Sequence, residues 1–420
     1  MSKIEATTLK NGLRVITDTV PGMHSAAVGI WAGVGTRDEA FPDNGVAHMV
    51  EHMLFKGTKT RDAQKIAEDI ENVGGSVNAY TSRELTSYHI HLLGEDVPLA
   101  LDILADMYTG STLPEDELER ERHVVLQEIG MCNDTPDDLI FDHYYETAYP
   151  GQSLGAPILG RSDYIGGIGR ETLRAYMERF YTPARTVISA AGAVDHDAFA
   201  AQVEKLFETL PADTDAAKPG ADYQGGECRL DKDLEQSHFI LGFEGVSRLD
   251  EDYYAAQALS NILGGGMSSR LFQEVREKRG LAYSVFSFHS GYQDNGQFGI
   301  YAGTGPGDLE RAMDVVCAEV RKFASTLEGG ELSRARAQLK AGVLMGRESM
   351  MSRADQQART LLFKNEAFDP EALIARIDAI DEEAVRRVAE RIFRTKPTLA
   401  ALGPLETLAP YDGIAGRLAA

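Results

Sequence analysis

The segment "GVAHMVEHMLFKGT", which begins at Gly45, places two histidines and a glutamate within five residues. On a helix, His48 and His52 lie one turn apart and about 40° apart around the axis, so both imidazoles can bind one metal ion. Glu51 precedes the second histidine and would lie beside that ion, where a carboxylate can act as a base on bound water. The alternative is the polar face of an ordinary solvated helix.

The rest of the segment favours a metal site. Apolar side chains cover most of the helix circumference, which predicts a buried helix: Ala47, Val50, Met53, Leu54 and Phe55. Buried His and Glu need partners, and one ion would satisfy them together. Asp43 or Asn44 is expected to cap this helix, and Gly57 to end it. The pattern HxxEH is also the inverse of the HExxH motif of zinc peptidases.

A third ligand is expected from a second helix, because catalytic zinc commonly has three protein ligands and a water. The best source is "EDELERERHVVLQEIG", which begins at Glu115 and has an apolar stripe of Leu118, Val125 and Ile129. Glu121 and Glu128 lie on or beside this stripe, two turns or about 10 Å apart. One of them is predicted to bind the ion and the other to support it, and the spacing leaves open which does which.

The totals limit the classes of protein. The chain has 420 residues, a comfortable size for two domains, with Lys+Arg 42 against Asp+Glu 65 and a net charge of −23. This acidity argues against nucleic acid or an anionic membrane as the partner. No signal peptide or membrane span is predicted, and three distant cysteines show no pairing pattern, so a reduced, cytoplasmic protein is expected.

Two halves of the chain share one plan. "SAAVGIWAGVGTRDE" from Ser25 resembles "SHFILGFEGVSRLDE" from Ser237, and each predicts a strand followed by a helix. "LERERHVVLQEIGM" and "LSRARAQLKAGVLM" correspond further along. Each half is predicted to be α+β, and the segment Pro211–Glu227 to be a linker. The expected ranges are 1–212 for the metal-binding domain, 213–226 for the linker and 227–420 for the second domain.

The ionisable cluster is present in the first half alone. Its positions and their counterparts in the second half are His48 and Gln257, Glu51 and Ser260, His52 and Asn261, Glu121 and Ala335, Glu128 and Gly342. A merely solvated helix face would have no reason to keep all five groups in one copy. The cluster therefore indicates a function of the first half.

Together these motifs resemble the pitrilysin/insulinase family of zinc metallopeptidases (inverzincins), and within it the processing peptidase β type and its short bacterial relatives. The matching segments are "LKNGLRVI", "GVAHMVEHMLFKGT", "LERERHVVLQEI" and "SSRLFQEVREKRGLAYSV", which extend over most of the chain. The resemblance implies a roughly six-stranded, mostly antiparallel sheet backed by helices in each half. It also implies one zinc ion per chain and an endopeptidase acting on peptides or unfolded segments.

The resemblance assigns roles to residues. Zinc would be bound by His48, His52 and Glu128, with Glu121 supporting the site and Glu51 as the general base. Asn78, Ala79 and Tyr80 would form an exposed strand edge to which substrate adds as a strand. The R-x6-Y pair, Arg276 and Tyr283, would bind substrate and stabilise the oxyanion.

The resemblance also predicts a dimer. Longer family members have four such domains, with HxxEH in the first and the R-x6-Y pair in the fourth. This chain carries both motifs in two domains, so a homodimer with shared sites is expected, or a heterodimer with a related subunit. Two alternatives are a non-catalytic core or assembly subunit of the same fold, which generally loses parts of the HxxEH set, and a structural metal-binding module.

Overall fold

The computed structural model describes residues 2–214 and 216–419. Runs of strands and runs of helices follow one another in both halves of the chain. The strands are β1 (Lys3–Thr8), β2 (Arg14–Thr19), β3 (Ser25–Ala32), β4 (Ser76–Thr81), β5 (Thr86–Leu93), β6 (Thr186–Gly192), β7 (Gly226–Asp231), β8 (Ser237–Gly245), β9 (Ala282–Gly291), β10 (Gly296–Thr304) and β11 (Thr398–Gly403).

The helices vary from one turn to five. They are α1 (Val46–Leu54), α2 (Ala63–Glu71), α3 (Val97–Gly110), α4 (Glu115–Asn133), α5 (Pro136–Ala148), α6 (Ser162–Ile165), α7 (Arg170–Phe180), α8 (His196–Leu206), α9 (Tyr253–Gly264), α10 (Leu309–Thr326), α11 (Gly329–Gly346), α12 (Met350–Lys364), α13 (Pro370–Asp378), α14 (Glu382–Phe393) and α15 (Tyr411–Ala419). Within the described ranges, no helix combines the length and the apolar character needed to cross a bilayer.

The first compact unit comprises Met1–Gly130, Ala156–Pro219 and Leu344–Asp369. Its six strands form one sheet in the order β1-β2-β6-β3-β5-β4. Neighbouring strands are antiparallel except for β2 and β6, which are parallel. Nearly every residue of β3 and β6 is buried, so both faces of this sheet are covered.

Helix α12 covers the second face of the first sheet. Trp31 on β3 is fully buried there, and its indole N–H donates to Asp355 Oδ1 on α12 at 2.9 Å. Buried Asp18 on β2 accepts from Arg347 and Arg353 at 2.8 Å each. These contacts hold the segment 344–369 to a sheet whose strands all come from the first half of the chain.

The second compact unit comprises Met131–Gly155, Gly220–Val343 and Pro370–Ala420. Its five strands form a sheet in the order β7-β11-β8-β10-β9, with β7 and β11 parallel and the other neighbours antiparallel. Helices α9, α10 and α14 contribute buried side chains to the core on one face. The other face packs against α5, whose Tyr144 is fully buried.

The predicted α+β class, with mostly antiparallel sheets backed by helices, is confirmed by this architecture. The compact units nevertheless differ from the continuous ranges 1–212 and 227–420, because they exchange the segments 131–155 and 344–369. The physical reason is that each sheet is covered on its second face by a helix from the other half of the chain. Around the expected linker, the described residues of 211–225 form neither helix nor strand.

Candidate metal centre and active site

The start of α1 is stabilised by Glu39, from the segment that precedes the helix. Its carboxylate accepts hydrogen bonds from the backbone N–H groups of Gly45 and Ala47, at 3.1 and 2.6 Å, and from the Asn44 side chain at 3.1 Å. Burial raises the pKa of Glu39 to about 8, and these three donors oppose that shift. The prediction that Asp43 or Asn44 caps the helix was wrong, since Asn44 is instead a donor to the capping carboxylate.

Gly45 at the N-cap of α1 has a left-handed conformation, with φ +105°. A Cβ atom at this position would lie 2.5 Å from Ile165 Cδ1, so the turn into the helix requires glycine. The helix ends at Leu54, before Gly57, the residue predicted to end it. The left-handed turn at Gly45 therefore fixes the residue at which the histidine-bearing helix begins.

Buried ion pairs hold the segment that carries Glu39. Arg37 is 1% exposed and pairs with Glu84, which is on the turn after β4, at 2.7 Å. Asp38 pairs with Arg185 at 3.0 Å. Removing one partner of a buried pair leaves an uncompensated charge, so these contacts specify where the segment lies.

The structure brings three of the predicted site residues together. His48 Nε2 and His52 Nε2 each lie 3.7 Å from Glu128 Oε2, and the candidate ligand atoms of the three residues lie within 4.8 Å of one another. Ligands about 2.1 Å from a tetrahedral zinc ion are separated by about 3.4 Å, so the set fits such an ion with a small contraction. Burial, and to a smaller extent the neighbouring His52, lowers the pKa of His48 to about 4, which keeps this imidazole neutral and able to ligate.

Glu121 lies behind His52 and faces away from the gap between the three candidate ligands. Its Oε2 is 2.9 Å from His52 Nδ1, and its Oε1 is 2.7 Å from Lys56 Nζ. Partial burial favours the neutral acid, but the hydrogen bonds from Lys56 and His52 outweigh it and lower the pKa of Glu121. An ionised Glu121 holds the imidazole proton on Nδ1 and leaves the Nε2 lone pair directed at the ligand cluster, the arrangement that orients metal-bound histidines in proteins.

Glu51 lies on the same helix next to His52, and its Oε2 accepts a hydrogen bond from the Thr81 hydroxyl at the end of β4. Burial raises the pKa of Glu51, while the bond from Thr81 and the interaction with His52 oppose that shift. The carboxylate is thus held beside the cluster by a residue outside α1. Its placement suits a group that exchanges protons next to a metal ion.

Strand β4 is the last strand of the first sheet, so one of its edges is not paired within that sheet. On the other edge Asn78 pairs with His89, Ala79 with Tyr88 and Tyr80 with Ser87. The Tyr80 hydroxyl donates to Asp355 Oδ1 at 2.6 Å, which ties the strand to α12. The three residues expected at a substrate-binding edge therefore do lie on an edge strand, next to the residue that holds Glu51.

Arg276 and Tyr283 belong to the second compact unit and contact each other. Arg276 lies in a π-helical turn, Phe272–Glu277, a rare conformation that often occurs at functional sites. Its guanidinium donates to the Tyr283 carbonyl oxygen at 2.7 Å and lies 4.6 Å from the centre of the Tyr283 ring. Tyr283 is 77% exposed, so its hydroxyl is accessible while the ring is held by the arginine.

Sequence reasoning missed four residues that shape this site: Glu39, Lys56, Thr81 and Asp355. Lys56 had a local signal, because it follows His52 by one helical turn and lies on the same side of the chain. Glu39 lies in a segment with the composition of a polar turn, while Thr81 and Asp355 act across distances along the chain that no short motif encodes. Asp355, for example, reaches the first sheet from the second half of the sequence.

Comparison with known proteins identifies related sequences along most of the chain. The family model described as Insulinase (Peptidase family M16) matches residues 14–162, and the model described as Peptidase M16 inactive domain matches residues 167–339. An uncharacterized zinc protease of Streptomyces coelicolor is 40% identical over 413 residues, which cover 96% of this chain and 90% of the relative. The probable mitochondrial-processing peptidase subunit beta of Arabidopsis thaliana is 37% identical over 422 residues, covering 97% of this chain and 79% of that protein.

Another uncharacterized zinc protease, from Bacillus subtilis, is 39% identical over 409 residues that cover 96% of this chain and 98% of the relative. Among solved structures, a protease from Helicobacter pylori has a TM-score of 0.88 and 26% identity, covering 96% of this chain and 100% of its own. A chain of complex III2 from Candida albicans, with a TM-score of 0.87 and 21% identity over 99% of this chain and 100% of its own, shares the fold. The names of the sequence relatives support a zinc protease function, and the chain belongs to the insulinase family of peptidases, M16.

Proposed function

We propose that this protein is a zinc-dependent endopeptidase that cuts peptides or unfolded segments. The observation that carries the proposal is the convergence of His48, His52 and Glu128 beside Glu51, a carboxylate outside the ligand set. Three protein ligands leave a coordination position open, as catalytic zinc sites do and closed structural sites do not. The names of the sequence relatives support zinc as the ion.

The side chains divide the chemical work. Zinc, when bound, would acidify water and polarise the carbonyl of the scissile bond. Glu51 would take a proton from the attacking water and later give it to the nitrogen of the leaving amine. A pKa raised by burial brings this carboxylate closer to the pH at which it must both accept and release a proton. Glu121, held ionised by Lys56, would keep the His52 ring in the orientation that ligation needs.

Substrate would bind as an added strand along the edge of β4 at Asn78, Ala79 and Tyr80. An edge strand offers unpaired main-chain N–H and C=O groups, which bind an extended peptide with little dependence on its sequence. The hydrogen bond from Tyr80 to Asp355 supports this role because it holds the edge strand in place before substrate arrives. Extended or unfolded segments would therefore be cut, and stably folded cores would not.

Arg276 and Tyr283 would bind substrate and stabilise the oxyanion at the zinc site of a partner chain. The exposed Tyr283 hydroxyl and the arginine that holds its ring support a binding role. Because one chain carries both motifs, a homodimer with two equivalent shared sites is the simplest assembly, and a heterodimer with a related subunit is the other.

The three cysteines are free thiols, which supports a reducing compartment such as the cytoplasm.

The test is the variant Glu51→Gln, assayed for zinc content and for cleavage of a random peptide library. It should lower cleavage by at least about a hundredfold, because a general base is lost, and should keep zinc, because no ligand is lost. Exposed Glu71→Gln on α2 is the matched control and should change neither property.

Each other outcome points to a different protein. If Glu51→Gln loses the metal, Glu51 is itself a ligand and the assigned roles are wrong. If zinc is bound and cleavage is unaffected by the variant, the metal is structural. If the unmodified chain holds no stoichiometric zinc and cuts nothing in the library, it is a non-catalytic core or assembly subunit.

The shared site is tested by complementation. Inactive Glu51→Gln chains and inactive Tyr283→Phe chains are mixed and allowed to exchange subunits. A mixed dimer would contain one site with an intact Glu51 and an intact Tyr283, so up to about half of the activity per mixed dimer should return. If exchange is demonstrated with labelled chains and activity stays absent, the shared-site dimer is wrong.

A further inference from the structure

The first compact unit contains a cavity of about 440 Å³ that no metal-site residue lines. Its walls are the end of α3 and the chain that follows it, the helix α7 with Tyr181, the residue Lys59 and the residues 209–211. Tyr108 and Tyr181 line it, both 2% exposed, with their rings stacked at 4.6 Å between centroids and 11° between planes. The two rings are buried against each other, so the apolar surface open to the cavity comes from the partly buried Met177 and Leu210. The volume lies within the range of small-molecule sites.

The charged side chains around this cavity are mostly cationic, in a chain whose net charge is −23. Lys59, Arg170 and Arg174 line it, against a single carboxylate, Glu178. Arg174 is paired with Glu171 outside the cavity lining, at 3.0 Å. Arg170 and Lys59, by contrast, have no acidic partner among the residues that the structure describes, so their positive charges are available to a ligand.

Hydrogen-bonding groups in the cavity wall are also incompletely used. Arg170 donates from Nη2 to the Thr112 carbonyl oxygen at 2.8 Å, while its Nε has no acceptor. The Ser111 hydroxyl, in the same wall, has no partner either. Buried polar groups are nearly always satisfied, so these two atoms are free to bond to water or to a ligand in the cavity. The bond to Thr112 also orients the guanidinium, which makes it a preformed donor.

We propose that this cavity binds a small organic anion, with a carboxylate or phosphate group held by Arg170 and Lys59 and an apolar body against Met177 and Leu210. A guanidinium binds either kind of anion with charge-assisted hydrogen bonds, and the two apolar side chains provide the apolar contact. The site is separate from the metal centre and does not rest on the proposed peptidase activity.

The experiment measures binding of phenylacetate and phenyl phosphate to the full chain by isothermal titration calorimetry. Uncharged phenylacetamide is the ligand control. At least one anion should bind saturably in the millimolar range or tighter, and the amide at least about tenfold more weakly, because it lacks the charge that the two cations recognise. The stronger of the two anions identifies which charged group the site prefers.

Variants test the location of the site. Arg170→Gln should weaken binding of the preferred anion at least about tenfold, and Lys59→Gln, an exposed change, should weaken it several-fold. Arg179→Gln is the matched control, because it removes the same charge from the same helix outside the cavity lining. Thermal unfolding checks that each variant is folded. If Arg170→Gln is not folded, the loss of binding in Lys59→Gln tests the location of the site.

Three results would overturn the proposal. They are saturable binding of neither anion, equal binding of phenylacetate and phenylacetamide, or equal losses in the Arg170, Lys59 and Arg179 variants.

Discussion

Helices α1 and α9 occupy corresponding positions in the two units, and they differ in how their polar side chains are satisfied. On α9, Gln257 donates to the His289 backbone carbonyl at 3.3 Å, and Asn261 donates to Gln338 on α11 at 3.1 Å. Neutral amides thus find neutral partners in their own unit. On α1, the Nε2 atoms of both histidines face the Glu128 carboxylate across 3.7 Å, beyond hydrogen-bond distance. In the second unit, the corresponding helices α9 and α11 are joined by a direct hydrogen bond and need no ion. The fold therefore does not require the gap between the two histidines of α1 and Glu128 on α4, which indicates that this gap serves another purpose.

The segments that enter the two helices show the same contrast. Glu39 is 5% exposed and accepts three hydrogen bonds at the start of α1. Its counterpart Glu251, at the start of α9, is exposed to solvent. At the start of α9, Asp252 is also buried, but it pairs with Arg387 and its side chain accepts no capping hydrogen bond from the helix backbone. A buried carboxylate that caps the helix backbone is therefore found at α1, the helix that carries the predicted histidine ligands.

The largest effect, on zinc content and cleavage, is expected when a predicted ligand on α1 is replaced by the residue at the corresponding position of α9. His52→Asn should lose zinc on dialysis and lose cleavage, since a ligand is removed. The reciprocal change Asn261→His should gain no zinc, because the position corresponding to Glu128 is Gly342. Atomic absorption on both purified variants checks this, and zinc retained by His52→Asn would place the ion elsewhere.

A smaller effect, on the free energy of unfolding, is expected from the glutamates that precede the two helices. Glu39→Ala leaves three donors without their acceptor and should lower the free energy of unfolding by about 2–4 kcal/mol. Glu251→Ala should change it by no more than about 0.5 kcal/mol, as surface substitutions do. Urea unfolding of both variants measures the difference, and equal values would show that Glu39 does not stabilise α1.

The smallest effect concerns the residue behind His52. Glu121→Ala should weaken zinc binding by about 10- to 100-fold without abolishing it, as happens when a partner of a ligating histidine is removed. Gln338→Ala, which breaks the corresponding α9–α11 contact, should leave zinc affinity unchanged. Competition with a fluorescent chelator gives both constants. Should Glu121→Ala strip the metal while Glu128→Ala keeps it, the two carboxylates have each other's roles.

The sequence predicted the features that depend on short spacing and missed those that depend on long-range packing. One helical turn between His48 and His52 was enough to place them together, and the same stripe argument reached both Glu121 and Glu128. The helical period alone does not tell which of these two carboxylates binds the ion, because that depends on how α4 packs against α1. Glu39 was missed because "TRDE" has the composition of a polar surface turn, although the carboxylate is buried.

Short-range sequence patterns also did not predict that α5 and α12 each cover the sheet formed by the other half of the chain. The strand "SAAVGIWA" is apolar on both faces, which does predict cover on both sides of the sheet. Nothing local identifies α12 as the covering helix, because its amphipathic pattern suits any apolar surface. The ion pairs of Asp18 with Arg347 and Arg353 select it, and they join positions far apart in the chain.

The placement of α12 on the first sheet has a consequence for how this chain folds during synthesis. The strands of that sheet are all synthesised by Gly192, yet the face that holds Ile16, Trp31 and Val187 has no cover until Lys364 has left the ribosome. The helix α5 waits for its own sheet in the same way. Each half of the chain therefore depends on the other for one layer of its structure. A truncation at the expected linker would leave each sheet without the helix that covers its second face.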